Sequence, residues 1–315
     1  MHFFVGIEIG GTKLQLVTGN GTGKILARRK LAVDGKKGGE GIRSQIESTL
    51  PDLLAGRKPK AVGVGFGGPV EWKTGKICRS HQVDGWADFD LPKWLQPIAS
   101  APVFVENDAN VAALGEARHG AGKGFNPAFY VTLGSGVGGG LILNGKLYHG
   151  APPGEAEIGH IRLNRRGTTV ESRCSGWAVD ALIRKLARAH PSSGLAQKLN
   201  GKIGGEAKYL SAALREGDPL AKDILEQTAE DLAFGLSHVT HLFHPAIIVI
   251  GGGLSGVGKP FRGAVENALS HHIMRAFAPG PKIRLAALEE DAVPIGALEL
   301  ARDRWINSKS RKRAA

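Results

Sequence analysis

The chain has 315 residues, 42% of them hydrophobic and 22% charged, which suits a globular protein with room for two domains and argues against general disorder. The formal net charge of +12 favours anionic partners such as nucleotide phosphates. No basic stretch is interleaved with aromatics, no apolar run reaches bilayer length, and two cysteines make no disulfide framework, so specific nucleic-acid binding, a membrane span and a stapled secreted scaffold are not expected.

The first residues, MHFFVGIEIGG, lack a basic start, a long apolar stretch and a small-residue cleavage site. They read as the first strand of a mature domain, and with Cys78 and Cys174 unpaired the expected location is the cytoplasm. FVGIEIGGTKLQLVTGNGTGKIL reads as strand, glycine turn, strand and Gly/Asn turn. A helical pattern follows in GIRSQIESTLPDLLAG, which Pro51 is expected to interrupt. AVGVGFGG is a second strand ending in glycines.

The run VFVEND differs, because it ends in acid and passes at once into the alanine-rich helical pattern ANVAALGEA. Asn and Asp are favoured helix N-caps, since their side chains accept orphan backbone N–H groups. The residues alone leave two readings of this junction: a cap, or an acid aimed at a ligand.

FYVTLGSGVGGGLILNGKLY then repeats the order of the first hairpin, with Asn144-Gly145 as a strong turn signal. The echo suggests duplicated domains facing a shared cleft. PLAKDILEQTAEDLAFGLSHVTHLFH is a long helical pattern, apolar at Ile224, Leu225, Leu232, Leu236 and Val239. Its His238, His241 and His244 recur every three residues, which lacks the i, i+4 geometry of a helical metal site. AIIVIGGG is a further strand, and SKSRKRAA reads as a disordered basic end. Strands alternating with helices give an α/β class.

Two glycine motifs exclude familiar sites. GSGVGG fits G-x-G-x-x-G at Gly134, Gly136 and Gly139, but a strand and turn follow where a dinucleotide fold needs a helix. GLSGVGKP approaches a P-loop at Gly253, Gly258 and Lys259, but Pro260 stands where a hydroxyl should be. What remains is glycine-rich turns, whose backbone N–H groups can approach phosphate oxygens with no Cβ in the way.

In this order the segments resemble the ROK family (repressors, open reading frames, sugar kinases) of the actin/hexokinase-like superfamily, over nearly the whole chain. GIEIGGTK (6–13) is similar to the first phosphate loop, GFGGPV (65–70) to a glycine-proline segment near the sugar, and ENDAN (106–110) to the catalytic segment. LGSGVGGGLI (133–142) is similar to the second phosphate loop, GEAEIGHI (154–161) to the sugar-binding segment, and IIVIGGGLS (247–255) to the adenosine segment.

The resemblance implies a two-domain actin/hexokinase-like (ribonuclease H-like) fold with a central cleft, and a kinase that moves the γ-phosphate of ATP to a hexose hydroxyl, glucose before others. It implies Asp108 as general base, with Gly68, Asn107, Glu157, His160 and Glu171 on the sugar. Gly10, Gly11, Thr12 and Lys13, then Gly134, Ser135, Gly136, Gly138 and Gly139, and Gly251, Gly252 and Gly253 would hold the nucleotide. Mg²⁺ would arrive with ATP, with Glu8 acting on it through water. The expected domains are 1–112 with about 295–308, then 113–294, then a basic tail 309–315. A homodimer is the expected assembly.

Two departures stand out. Many relatives carry a zinc-binding Cys-x-Cys-x-x-x-x-Cys cluster before the last glutamate. Here NRRGTTVE holds no cysteine and Cys174 lies beyond Glu171, so no zinc is expected. Gln82 falls where relatives often have asparagine, which leaves the sugar open among glucose, fructose, mannose and N-acetylhexosamines. Polyphosphate as donor, and a non-catalytic sugar-binding or regulatory role, are the remaining alternatives.

Overall fold

The structure is a computed structural model that describes residues 2–80, 82–154 and 156–314, leaving aside the side chains of 311–314. By contacts the chain divides into two units: Met1–Lys123 with Gly140–Glu155 and Glu290–Ala315, and Gly124–Gly139 with Ala156–Glu289.

In the first unit, β1 (Phe4–Ile9), β2 (Lys13–Gly19) and β3 (Ile25–Ala32) form an antiparallel meander. The chain continues through α1 (Gly38–Leu54), β4 (Val62–Phe66), the short antiparallel pair β5 (Val70–Glu71) and β6 (Lys76–Ile77), α2 (Leu91–Ala99), β7 (Val103–Asn107) and α3 (Asp108–His119). β1, β4 and β7 pair in parallel, giving the order β3-β2-β1-β4-β7. Parallel strands need both faces covered, and these strands are accordingly apolar apart from Glu8, Glu106 and Asn107 near their ends. On one face Leu14 and Leu16 join Ile42, Ile46 and Leu50 of α1 and Leu91 and Leu95 of α2 in one core, each side chain stabilising the fold by roughly 1.5–3 kcal/mol.

The second unit begins with β8 (Ala128–Leu133) and β9 (Val137–Leu143), whose later half pairs with β10 (Lys146–Leu147) in the first unit. It continues through α4 (Val170–Cys174), α5 (Gly176–Ala189), α6 (Gly194–Leu199), α7 (Leu210–Arg215), α8 (Pro219–Phe243), β11 (Ile247–Gly251), α9 (Lys259–His272) and β12 (Lys282–Leu285). The strand order is β10-β9-β8-β11-β12, with β8, β11 and β12 parallel. α8 lays Ile224, Leu225, Leu232, Leu236 and Val239 into the core, as its periodicity predicts. The last helix, α10 (Ala292–Ala314), returns to the first unit.

Three expectations differ from the structure. Pro51 does not interrupt α1, which runs through it to Leu54. So near the helix end, its missing N–H removes a bond from the last turn only. The chain up to Ala314 continues α10 instead of forming a disordered tail, because nothing in that stretch breaks a helix once the preceding turns are packed. Ala315 lies outside the described residues. The division also falls after α3 and not at 112, and α10 begins before 295. The cause is close packing of α3 on α10, where a methyl on Gly296 would run into the Val111 carbonyl and one on Gly115 would stand 2.5 Å from the Ala292 carbonyl. Gly63, inside β4, serves the same helix: a methyl there would collide with the Ala297 carbonyl.

Candidate active site

In the first unit, β1, β4 and β7 end in register at Ile9, Phe66 and Asn107. The residues that follow therefore meet at one sheet edge, where parallel α/β sheets commonly bind ligands. Gly67 N–H donates to the Ile9 carbonyl at 2.8 Å. A Cβ on Gly67 would stand 3.4 Å from Asp108 Oδ2 and 3.6 Å from Gly10 Cα. Asp108, Gly67 and the Gly10 turn are thus neighbours.

The junction has its cap in Asn107. Its Oδ1 accepts from Ala109 N–H at 2.9 Å and Asn110 N–H at 3.3 Å, and its Nδ2 donates to the Gly68 carbonyl at 3.1 Å. Asp108 is the first helical residue, half-buried, and is not needed for the cap.

The first loop closes with Gly10 N–H on the Lys13 carbonyl at 2.9 Å. Lys13 Nζ lies 2.9 Å from Glu8 Oε1, and Gln15 Nε2 donates to Glu8 Oε2 at 2.7 Å. Burial pushes the Glu8 carboxyl above the usual carboxylate range, against the opposing pull of Lys13 and Gln15. The Gln82 side chain lies over Gly11, where a methyl would collide with its amide oxygen. Thr12 is exposed.

In the second unit, Gly134 N–H donates to the Gly136 carbonyl at 2.9 Å and Gly176 N–H to the Gly134 carbonyl at 2.7 Å. Glu171 Oε2 accepts from Val137 N–H at 2.9 Å, and a Cβ on Gly136 would stand 2.6 Å from that same oxygen. A capping box between Thr169 and Ser172 starts α4 and so fixes Glu171 in its first turn. Ser135 and Gly138 lie half-buried in the same hairpin.

A 3₁₀ turn, Ile158–His160, rests on β9: a methyl on Gly159 would meet the Val137 carbonyl, and one on Gly139 would stand 2.6 Å from that of Ala156. Glu157 and His160 bracket this turn with exposed side chains, and His160 N–H donates to the Glu157 carbonyl at 3.0 Å. The loop from His160 to Glu171 is closed by Leu163 N–H on the Thr168 carbonyl at 2.8 Å and Val170 N–H on that of Ile161 at 3.0 Å. Asn164 Oδ1 accepts from Arg166 N–H at 2.9 Å inside it. Hydrogen bonds and not thiolates shape this stretch, and among the described residues no three His, Cys, Asp or Glu side chains gather as a metal site.

Gly252 has φ +80° with its Cα against the Leu133 backbone, which only glycine tolerates, and this brings 251–253 beside the second loop. Cβ atoms on Gly134 and Gly253 would meet nothing within 4 Å, so both positions stand open.

Each unit thus gathers its own share. The first holds Gly10, Gly11, Thr12, Lys13, Gly68, Asn107 and Asp108, and the second holds the 134–139 hairpin, Glu157, His160, Glu171 and Gly251–Gly253. The three helical histidines go separate ways. His238 Nδ1 bonds the Phe234 carbonyl, His241 Nε2 accepts from Met274 N–H, and His244 stacks on Phe277. Sequence reasoning passed over Glu106, buried at 2%, and its partner His149. The available signal was a carboxylate on an apolar strand, which burial makes costly unless donors meet it.

Two sheets of matching strand order, each with a glycine hairpin at its first turn and one with an acid at a strand–helix junction, define the actin/hexokinase-like class. The ROK family model matches residues 4–304, and the chain belongs to the ROK family. It is 31% identical to a glucokinase of Halalkalibacterium halodurans, over 94% of this chain and 93% of that one. A crystal structure of a ROK family glucokinase from Streptomyces griseus in complex with glucose and AMPPNP superposes with a TM-score of 0.85 at 32% identity, covering 96% of this chain and 99% of the other. A xylose repressor of Caldicellulosiruptor bescii is 24% identical over 94% of this chain and 77% of its own length. The chain is therefore glucokinase-like, within a family that also holds regulators. No helix among the described residues is long and apolar enough to cross a membrane.

Proposed function

We propose that the protein transfers the γ-phosphate of ATP to a hexose hydroxyl, with glucose as the preferred sugar and Asp108 as the general base. The observation that carries this reading is the division of labour at the β7–α3 junction. Asn107 supplies the cap, so capping does not account for the second acid at Asp108, whose carboxylate lies over Gly67 beside the Gly10 turn. A carboxylate held there by a strand and a helix can accept the proton of an attacking hydroxyl.

In this reading Glu157, His160 and Glu171 bind sugar hydroxyls with Gly68 and Asn107. Both acceptor bonds of Asn107 Oδ1 go to α3, so Asn107 meets a sugar through its remaining amide hydrogen. Backbone N–H groups of Gly10–Thr12 and of the 134–139 hairpin hold phosphate oxygens, with Lys13 beside the first loop and Gly251–Gly253 along the adenosine. Open space at Gly134 and Gly253 fits a nucleotide. Magnesium bound with ATP neutralises phosphate charge. Glu8 already engages Lys13 and Gln15 through both oxygens, so its action on the ion runs through water. The backbone bonds that close the loop from His160 to Glu171 take the place of a structural metal, and elemental analysis should find no stoichiometric zinc. A cytoplasmic homodimer is the proposed working form.

The test is coupled ADP release across glucose, fructose, mannose and N-acetylhexosamines, with ATP or polyphosphate as donor. Glucose with ATP should give the highest kcat/KM, and EDTA should abolish it. Binding of a sugar without turnover on any of them would make the chain a sugar-responsive binding protein instead.

A further inference from the structure

We infer that Glu106 and His149 form a positioning pair that holds the Asn107–Asp108 junction in its working geometry; the inference rests on the kinase reading above. Glu106 is buried at the end of β7, and its two oxygens divide their bonds. Oε1 accepts from Asn107 N–H at 3.1 Å and from Asn110 Nδ2 at 3.3 Å. Oε2 lies 2.7 Å from His149 Nε2.

The carboxylate therefore fixes the backbone of the capping residue and a side chain on the first turn of α3, while the Asn107 amide oxygen accepts from two N–H groups of that turn. Asp108 projects from the one residue between these clamps. A buried carboxylate with three donors is held firmly, and removing one donor leaves it undersatisfied and free to turn.

His149 is itself held. Its ring stacks on Trp72 with centroids 4.4 Å apart and planes 20° from parallel, and its side chain is only 15% exposed. The preceding residue is tied by Tyr148 N–H to the Leu141 carbonyl at 2.8 Å. The stack fixes the imidazole plane and the imidazole fixes the carboxylate. His149 and Glu106 are positioning residues, because Asp108 and not either of them meets the reacting hydroxyl.

A core role alone would make any aromatic at 149 sufficient. His149→Phe keeps the stack on Trp72 and removes the bond to Glu106. Glu106→Gln keeps an acceptor for Asn107 and Asn110, and its amide can still donate to an imidazole nitrogen. The experiment measures kcat, both KM values, melting temperature and site-resolved amide exchange in the two variants and the parent.

In His149→Phe, kcat should fall by roughly ten- to a hundredfold, the cost of a small misplacement at a reacting centre, with the ATP KM within about twofold. Exchange at Ala109 and Asn110 should quicken while the rest of α3 stays protected. Glu106→Gln should recover most of the parent's kcat and protection. Parental kcat and protection in His149→Phe would overturn the inference, as would loss of kcat together with a general fall in melting temperature and protection throughout the unit. If the parent phosphorylates no sugar, the kinase reading fails by itself and the exchange pattern still decides the pair: local loss of protection supports it, and parental protection sinks it.

Discussion

The two sheets share one strand order, three strands laid side by side and then two more in parallel, yet their sites are built differently. Both first hairpins turn on glycines, with Gly10 N–H on the Lys13 carbonyl in one and Gly134 N–H on the Gly136 carbonyl in the other. The first turn keeps an ammonium and a carboxylate together, Lys13 with Glu8. The second takes its charge from elsewhere in the chain, with Glu171 of α4 on Val137 N–H. The outer parallel strands diverge further: β7 ends in Glu106-Asn107 and hands on to Asp108, whereas β12 ends in Arg284-Leu285 and hands on to Ala286. A repeated backbone supplies the turns that suit phosphate, and unrepeated side chains decide which half carries the chemistry.

That asymmetry breaks most sharply at Asp108. Asp108→Asn should lower kcat by roughly 10²–10⁴, because an amide cannot take up the hydroxyl proton. Its melting temperature should match the parent's, since the cap belongs to Asn107. Steady-state kinetics beside a thermal melt checks both, and a variant with near-parental turnover would remove the difference between the halves. In the second half the counterpart is Glu171→Gln. It keeps an acceptor for Val137 N–H but loses the charge, so the sugar KM should rise by about ten- to a hundredfold, the worth of a hydrogen bond to a charged group. The kcat should change far less than in Asp108→Asn. A larger kcat effect at Glu171 than at Asp108 would reverse the assignment of roles.

How much of this was legible in the chain depends on range. Strands such as Phe4–Ile9 and Ile247–Gly251 declare themselves through apolar runs leading into glycines, interrupted only by Glu8, and the paired hairpins through their turn residues. The 3.6-residue pattern placed α8 on its buried face. The identity of the cap was not legible, because Asn107 and Asp108 are adjacent and equally good at it, and only backbone geometry separates them. Gly63 reads as part of a glycine-rich strand end, but its reason is α10, which arrives from the far end of the sequence. The Glu106–His149 bond joins residues 43 apart, and neither has a local pattern that points to the other.

The cap itself gives a smaller and separable effect. Asn107→Ala removes two acceptor bonds at the start of α3 and should lower stability by about 1 kcal/mol, read from denaturant unfolding. Asp108→Ala should lower it by less, because Asp108 contributes only an acidic first turn to that helix. The reverse ranking would return the cap to Asp108 and weaken the case for its catalytic role.

The smallest effect tests the charge pair that sets the first hairpin apart. Burial raises the Glu8 carboxyl above its unfolded value despite Lys13 and Gln15. A group whose folded pKa lies above its unfolded one binds protons more tightly in the folded state. Its contribution to stability is therefore complete below the unfolded pKa, about 4.3 for glutamate, and is lost as pH rises through the folded value. Glu8→Gln removes the titration and keeps an oxygen facing Lys13. The stability of the parent minus that of the variant should then fall as pH is raised from about 4 to 7, with the other carboxylates cancelling because both proteins carry them. Urea melts at matched ionic strength give the difference at each pH. A difference that grows with pH over this range would mean that Lys13 outweighs burial, and the first hairpin would then hold Glu8 as a stabilised anion.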